Sequence, residues 1–192
     1  MGSDYDDELW EAVPEDPGPP PSHLVAFAAS LHPSGDVLDL GCGDGRLTAE
    51  LRAERITAAD VSALARARAR GRLPHAELVE LDPDAPLPFA DASFDLVTCL
   101  ETIEHVRDVQ RLLSEARRVL RPGGRLALST PAHGRRTALR ALLGGWDRVL
   151  DPLSPHLRHF SPRSLTGLVG EMGFRVESLA RRRGSLLLAG RR

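Results

Sequence analysis

The segment VLDLGCGDGRL, residues 37–47, places three glycines at alternate positions immediately after a short apolar run. An apolar run of this length, bounded by glycine, predicts a buried strand. Gly41, Gly43 and Gly45 would weaken any regular element, but they allow a backbone to turn sharply and to lie close against a ligand. We therefore expect a buried strand that ends in a ligand-binding turn.

Short apolar runs alternate with helical patterns along the rest of the chain. The predicted strands are DVLDL, ITAAD, AELVEL, FDLVTCL, RLALSTP, FRVESLA and SLLLAG; the predicted helices are SHLVAFAASL, GRLTAELRAE, VSALARARARG capped by Ser62, the stretch that Asp108 caps and RPGG ends, and SPRSLTGLVGEMG. This alternation indicates an α/β fold with a parallel sheet covered by helices on both faces. A tight arginine–glycine turn makes the last two strands an antiparallel pair.

The 192 residues are enough for one domain with a substantial core. We expect an acidic, proline-rich arm over residues 1–22 and a single domain over residues 23–192. Within that domain, residues 131–161 are predicted to form an insert beside the substrate, with a helical piece around RRTALRALLGG. Tyr5 and Trp10 lie in the arm of a chain with 4% aromatic residues, so the arm is a candidate lid, with a disordered tail as the alternative.

Composition excludes several classes of function. The formal net charge is −2, and all of the positive residues are arginine, which points to a compositional bias rather than to nucleic-acid binding. No apolar run reaches the roughly 18 residues of a membrane span, and the acidic start of the chain is not a secretory signal. Two cysteines, Cys42 and Cys99, indicate neither a disulfide framework nor a zinc site. A cytoplasmic protein is the simplest expectation.

The residues of the glycine turn discriminate between two classes of cofactor. A dinucleotide needs G-x-G-x-x-G, but Arg46 occupies the third glycine position, and Asp44 has the wrong charge beside a pyrophosphate. A sulfonium cofactor without phosphate tolerates acidic neighbours. Asp60, at the end of the second strand, can accept hydrogen bonds from both ribose hydroxyls, although dehydrogenases place an acid similarly.

Four segments in order, VLDLGCGDG, AADVS, LDPDAPLPFADASFDLVTCLETIEHV and LSEARRVLRPGGRLALSTP, resemble the motifs of class I S-adenosylmethionine-dependent methyltransferases. The resemblance covers roughly residues 24–190. It implies a Rossmann-like sheet, mostly parallel with one reversed strand, and S-adenosylmethionine as the cofactor.

The same resemblance implies the cofactor-binding residues. Asp39, Gly41, Cys42 and Gly43 would line the methionine portion, Asp60 would hold the ribose, Val61 would pack on the adenine, Asp82 would accept from the adenine amine, and Cys99 and Leu100 would contact the cofactor through their backbone. One residue departs from the family pattern. Pro83 has no N–H to donate to adenine, so either Asp84 supplies this bond or the bond is absent.

The segment ETIEHV, residues 101–106, follows the fourth strand at the expected mouth of the site. Glu101, Glu104 and His105 would share one face of a helical turn, which indicates an acid/base cluster, a metal site or a solvated turn. A similar E-x-x-E-H occurs in ubiquinone-pathway O-methyltransferases and in small-RNA 3′-terminal ribose methyltransferases. That resemblance implies Mg²⁺ or Mn²⁺ on Glu101, Glu104 and His105, whereas without a metal His105 orients the substrate or acts as the base.

Three later histidines are further candidates. His156 and His159 in SPHLRHFSP could extend a metal site, act as a base or cap the next helix, and His133 lies at the predicted rim. We expect a methyltransferase for an oxygen or nitrogen atom of a small molecule, with His105, Glu101 and His156 as catalytic residues. The alternatives are a metal-dependent RNA 3′-terminal ribose methyltransferase and a non-catalytic partner that binds the cofactor. The near-neutral charge argues against nucleic acid, and no membrane partner is expected.

Overall fold

The structure is a computed structural model that describes residues 3–33, 35–134 and 154–192, together with residues 137, 139, 142 and 143. Within these ranges lie seven strands, β1 (Asp36–Leu40), β2 (Arg55–Asp60), β3 (Glu77–Glu80), β4 (Phe94–Leu100), β5 (Leu120–Pro131), β6 (Arg175–Arg182) and β7 (Ser185–Arg191). The helices described over their full length are α1 (Ser3–Glu11), α2 (Ser22–Ser30), α3 (Ala63–Arg72), α4 (Val109–Val119) and α5 (Pro162–Glu171). Single 3₁₀ turns occur at Thr48–Glu50 and Ile103–His105.

The seven strands form one sheet in the order β3-β2-β1-β4-β5-β7-β6. Strand β7 runs antiparallel to both of its neighbours, and the other pairs are parallel. The predicted mostly parallel sheet with one reversed strand is therefore confirmed. The order of the chain reverses between the adjacent strands β1 and β4, and open sheets of this kind bind ligands at the carboxyl ends of the strands there.

Alternating side chains of the central strands belong to two buried apolar clusters, one on each face of the sheet. Leu38 and Val97 lie in the larger cluster, to which α4 and α5 contribute. Their neighbours along the strands, Val37 and Leu96, lie in a second cluster with residues of α2. Since successive side chains of a strand point to opposite faces, helices cover both faces of the sheet, as predicted.

The predicted helix caps form. The Ser62 hydroxyl accepts a hydrogen bond from the Ala65 N–H at the start of α3, and the Asp108 carboxylate accepts one from the Arg111 N–H at the start of α4. Helix α4 ends at Val119, and Leu120, already extended, separates it from RPGG. Pro122 disfavours a helical conformation at Arg121, so the helix stops shortly before it. Strand β5 consequently begins earlier than predicted and includes RPGG.

The predicted helix over GRLTAELRAE is wrong, because only one 3₁₀ turn forms there. The nine residues between Gly45 and β2 must return the chain from the carboxyl edge of the sheet to its amino edge. A five-residue strand spans about 16 Å, whereas nine helical residues rise only about 14 Å and leave nothing for the two turns. The connection therefore consists of a turn, the single 3₁₀ turn and four irregular residues before β2.

The structure describes most of the predicted arm but only part of the predicted insert. The arm contains α1, so it is not a disordered tail over Ser3–Glu11. The helical piece predicted around RRTALRALLGG, and most of the insert at 131–161, lie outside the described residues. In the described part of the chain, no helix has the length and apolar character needed to cross a membrane.

Candidate functional site

The glycine turn after β1 has the sharp backbone that the sequence predicts. Gly41, Gly43 and Gly45 have φ values of 73°, 55° and 82°, a region that favours glycine. A Cβ on Gly41 would lie 2.2 Å from the Thr102 methyl carbon, so no side chain fits there. The Gly43 N–H donates to Asp60 Oδ2 at 2.8 Å, which fixes the turn against the end of β2.

Asp39 lies buried beneath this turn. The hydroxyls of Thr48 and Thr98 donate to its two carboxylate oxygens at 2.5 Å and 2.6 Å. Burial raises the pKa of Asp39, and the two threonine bonds oppose that rise. Asp39 therefore stabilises the base of the turn, and its expected contact with the methionine portion of a cofactor stays a prediction.

Asp60 closes the other side of the turn. Its Oδ1 accepts from the Ser62 N–H at 2.9 Å, and its Oδ2 accepts from Gly43. Burial raises the pKa of Asp60. Each carboxylate oxygen can accept about two hydrogen bonds, so both retain capacity for ribose hydroxyls. Val61 follows it and is partly exposed, as a residue that packs on adenine would be.

The remaining predicted cofactor residues lie at the same edge of the sheet. Asp82 is exposed just beyond β3, and its Oδ1 accepts from the Asp84 N–H at 2.8 Å. That N–H is thus engaged within the loop, and Pro83 has none to offer. Cys99 and Leu100 are buried at the carboxyl end of β4, and Cys42 is buried in the glycine turn.

A buried carboxyl follows β4. Glu104 is 1% exposed, and its Oε2 has no hydrogen-bond partner among the described residues. Burial raises the pKa of Glu104 to about 7, and repulsion from Glu101 contributes to the rise. Glu101 precedes the 3₁₀ turn with a φ of 55°, so the helical face assumed from the sequence does not form. Burial also raises the pKa of Glu101.

The proton of His105 is fixed by its neighbours. Its Nδ1 lies 2.9 Å from the Pro155 carbonyl oxygen, which can only accept, so Nδ1 carries the proton. Nε2 of the neutral ring then presents a lone pair, 4.0 Å from Glu104 Oε1. Burial lowers the pKa of His105, which favours this neutral form.

His156 completes the cluster. Its ring meets the ring of His105 edge to face, with centroids 4.8 Å apart. Ligating atoms of Glu104, His105 and His156 all lie within 4.8 Å of one another. The structure therefore brings together two members of the predicted metal set and replaces Glu101 in that group by His156. We refer to Glu104, His105 and His156 as the acid–imidazole cluster.

The other two candidate histidines form a separate pair. The rings of His133 and His159 have centroids 4.4 Å apart, and Nδ1 of His159 lies 3.3 Å from Nε2 of His133. His133 lies two residues beyond the end of β5, and its backbone N–H donates to the Phe160 carbonyl at 2.8 Å. Burial lowers the pKa values of His133 and His156, and His159 lowers both further, so this pair interacts electrostatically with the acid–imidazole cluster.

Three residues of the site were missed by the sequence analysis. Thr48 and Thr98 hold Asp39 across two different elements, and Asp7 of α1 accepts hydrogen bonds from Ser62 and Leu64. Single polar residues in a strand, a 3₁₀ turn or a helix are ordinary, so no local pattern marks these contacts. Tyr5, which was expected to pack in a lid, is 46% exposed.

A family profile described as a methyltransferase domain matches residues 13–179. A Mycolicibacterium smegmatis protein named a probable S-adenosylmethionine-dependent methyltransferase is 38% identical over 160 residues, which are 81% of this chain and 58% of that protein. The malonyl-[acyl-carrier protein] O-methyltransferase of Enterobacter lignolyticus is 35% identical over 150 residues, 74% of this chain and 57% of that protein.

A solved structure shares the fold. A structure described as a SAM-dependent methyltransferase from Aquifex aeolicus superposes with a TM-score of 0.69 at 18% identity, covering 90% of this chain and 93% of that one. The chain spans a little over half of the length of the two curated relatives.

Proposed function

Because the chain belongs to the S-adenosylmethionine-dependent methyltransferases, we propose that it transfers the methyl group to an oxygen or nitrogen atom of a small-molecule acceptor. The observation that carries this proposal is the acid–imidazole cluster beside the glycine turn, because it offers a neutral imidazole where an acceptor must lose a proton. The name of the Enterobacter lignolyticus relative, an O-methyltransferase, favours oxygen.

Methyl transfer from a sulfonium is an in-line displacement. The acceptor atom forms a bond to the methyl carbon while the carbon–sulfur bond breaks, and its electron pair leaves with sulfur as a neutral thioether. The protein mainly positions the acceptor and excludes water, since the leaving group is already good. An acceptor hydroxyl must also release a proton, and His105 Nε2 is the proposed base.

The surroundings of His105 suit that task. The Pro155 carbonyl holds the ring orientation, and burial keeps the ring neutral and able to accept a proton. Once it is protonated, the imidazolium faces the carboxyl of Glu104, whose ionised form stabilises the positive charge. His156, packed on the same ring, is proposed to orient the acceptor.

The proposed cofactor cradle comprises the glycine turn and the ends of β2, β3 and β4. Gly41, Cys42 and Gly43 would meet the methionine portion, above Asp39. Asp60 would accept from the ribose hydroxyls, Val61 would pack on adenine, and Asp82 would accept from its amine. The backbone of Cys99 and Leu100 would close the cradle next to the acid–imidazole cluster.

The same cluster fits a divalent cation. The partnerless Glu104 Oε2 and the His105 lone pair are suitable donors, and the Pro155 carbonyl orients the imidazole as an outer-shell partner commonly does. Two imidazoles and one carboxylate suit zinc or manganese better than magnesium. Bound to these residues, such an ion supplies polarisation of the acceptor hydroxyl.

Labelled methyl transfer to a panel of phenols, aliphatic alcohols, amines and RNA 3′ ends tests the proposal. We expect turnover with a small hydroxyl or amine acceptor. His105→Gln should lower kcat by about 10²- to 10⁴-fold with a hydroxyl acceptor, while the affinity for S-adenosylhomocysteine stays unchanged. His75→Gln is the matched control, because His75 is exposed before β3 at the opposite edge of the sheet.

The outcomes separate the alternatives. Turnover that survives His105→Gln contradicts the proposed base. Turnover with RNA 3′ ends alone supports the ribose methyltransferase, and cofactor binding without any turnover supports a non-catalytic partner. Loss of activity in chelator, restored by manganese or zinc and accompanied by metal binding that Glu104→Gln abolishes in calorimetry, assigns the cluster to a metal.

A further inference from the structure

Helix α1 is attached to the predicted cofactor cradle by a specific carboxylate. Asp7 Oδ1 accepts from the Ser62 hydroxyl at 2.5 Å and from the Leu64 N–H at 3.1 Å. These are donors at the start of α3, where a negative charge also interacts favourably with the helix dipole. The arm is therefore fixed next to Asp60, whose own carboxylate accepts from the Ser62 N–H.

Trp10 covers the glycine turn from the same helix. A Cβ built on Gly43 would lie 2.7 Å from Trp10 Cζ2, so the indole rests directly on this glycine. The guanidinium of Arg68 lies 5.9 Å from the centre of the indole and donates to the Val13 carbonyl at 2.9 Å. The indole is thus held between the turn and α3, and the absence of a side chain at position 43 makes room for it.

Asp6 brings a second carboxylate toward Asp60. Asp6 is partly buried, and burial raises its pKa, with Asp60 the largest electrostatic contribution in the same direction. The charge of Arg107 lowers the pKa of Asp6, and the charge of Asp7 raises it slightly. Asp6 precedes Asp7, which shares Ser62 with Asp60, so the two charges lie on neighbouring parts of the site. Hydrogen-bond donors or a positive charge brought beside them would reduce their repulsion.

We propose that α1 is part of the cofactor site, with Asp6 as a second acidic contact for the nucleoside sulfonium and Trp10 as a cover over Gly43. This inference rests on the proposed assignment of Gly43 and Asp60 to the cofactor. S-adenosylmethionine supplies both features that the carboxylate pair needs, namely ribose hydroxyls and positive charge. Because Trp10 and Asp7 close the cradle from outside, the arm must open for the cofactor to enter and leave.

The test uses Asp6→Asn in the full chain, because a structural role and a binding role predict opposite signs. Removing the repulsion should leave the urea stability of the free protein unchanged or increased. Calorimetry should show S-adenosylmethionine binding weakened by about 10-fold, the scale of one charge-assisted hydrogen bond. S-adenosylhomocysteine lacks the sulfonium charge, so its binding should weaken less in this variant. Glu8→Gln, at an exposed position of the same helix, is the control.

Trp10 provides an independent readout. The chain has two tryptophans, so Trp146→Phe leaves Trp10 as the single tryptophan, which can be excited at wavelengths where tyrosine does not absorb. Its emission should change when S-adenosylhomocysteine binds, and Trp10→Ala should speed release of the ligand. Unchanged affinity in Asp6→Asn together with unchanged Trp10 emission overturns the inference. Tighter binding in Trp10→Ala also overturns it, because α1 would then obstruct the site.

An Asp60→Ala variant distinguishes failure of this inference from failure of the cradle assignment. If Asp60→Ala binds S-adenosylhomocysteine as wild type does, the cradle assignment is wrong and the role of Asp6 falls with it. If Asp60→Ala loses binding while Asp6→Asn keeps it for both ligands, the cradle stands and only the role of α1 is refuted.

Discussion

Replacing Glu104 by glutamine should stabilise the protein at alkaline pH. The carboxyl is 1% exposed, and burial raises its pKa from the ordinary value of 4.5 to about 7. One pKa unit corresponds to about 1.4 kcal/mol, so ionising Glu104 in the folded state costs about 3 kcal/mol. Glutamine has nearly the same shape and never ionises, so the variant does not carry this cost.

The sign of the pH dependence follows from the two pKa values. Below about pH 4.5, Glu104 is protonated in both the folded and the unfolded states, and it imposes no ionisation cost. As the pH rises from about 4.5 to about 7, Glu104 ionises in the unfolded state but stays protonated in the folded state, so wild type loses stability. Above about pH 7 the carboxyl is ionised in both states, and the loss is complete. The difference in unfolding free energy between Glu104→Gln and wild type should therefore grow by about 3 kcal/mol from pH 4.5 to pH 8.

Urea unfolding at intervals between pH 4.5 and 8, with chelator present, measures this difference directly. The other carboxyl groups are common to both proteins, so their contributions largely cancel. Glu171→Gln, at an exposed position of α5, should differ from wild type by less than about 0.5 kcal/mol throughout. A difference between Glu104→Gln and wild type that is independent of pH would refute the reasoning.

Two further predictions concern the glycine turn. Thr48→Val removes a donor to the buried Asp39 and should lower the unfolding free energy by about 1–3 kcal/mol in urea, and an unchanged value would show that the hydrogen bond is unimportant. Gly41→Ala places a Cβ against Thr102 at a φ of 73°, so it should abolish S-adenosylhomocysteine binding in calorimetry; retained affinity would contradict the geometry. Gly167→Ala, in an open position of α5, should instead stabilise by about 0.5–1 kcal/mol, and destabilisation would be the contrary result.

The sheet and most helices could be predicted because each has a local signal. Buried strands such as Phe94–Leu100 are short apolar runs, and α3 and α4 begin at the capping residues that the sequence indicates. The error after Gly45 has a different origin. Its residues suit a helix, but the few residues before β2 are too short to form one and also cross the sheet. The distance they must cross is set by the paired strands β1 and β2, not by the local sequence. Helix α1 was missed because contacts distant in sequence, through Asp7 and Trp10, hold it.

The candidate site was predictable to a similar extent. Glu104 and His105 lie in one short motif after a strand, so their joint position follows from local sequence. The partnership of His105 with His156 and the Pro155 carbonyl depends on the return of a chain segment about 50 residues away. Glu101 was grouped with them on the assumption of a helical turn, whereas the backbone there reverses with a φ of 55°.

A crystal structure of the full chain with S-adenosylhomocysteine tests the central claim most directly. If the glycine turn holds the cofactor and His105 deprotonates the acceptor, the cofactor sulfur should face the acid–imidazole cluster. In line with the carbon–sulfur bond, an acceptor atom about 3 Å from the methyl carbon lies about 5 Å from sulfur. The acceptor atom also lies about 3 Å from its base, so sulfur should lie about 7 Å from His105 Nε2. Sulfur more than about 10 Å from that nitrogen, or pointing away from it, would contradict the account.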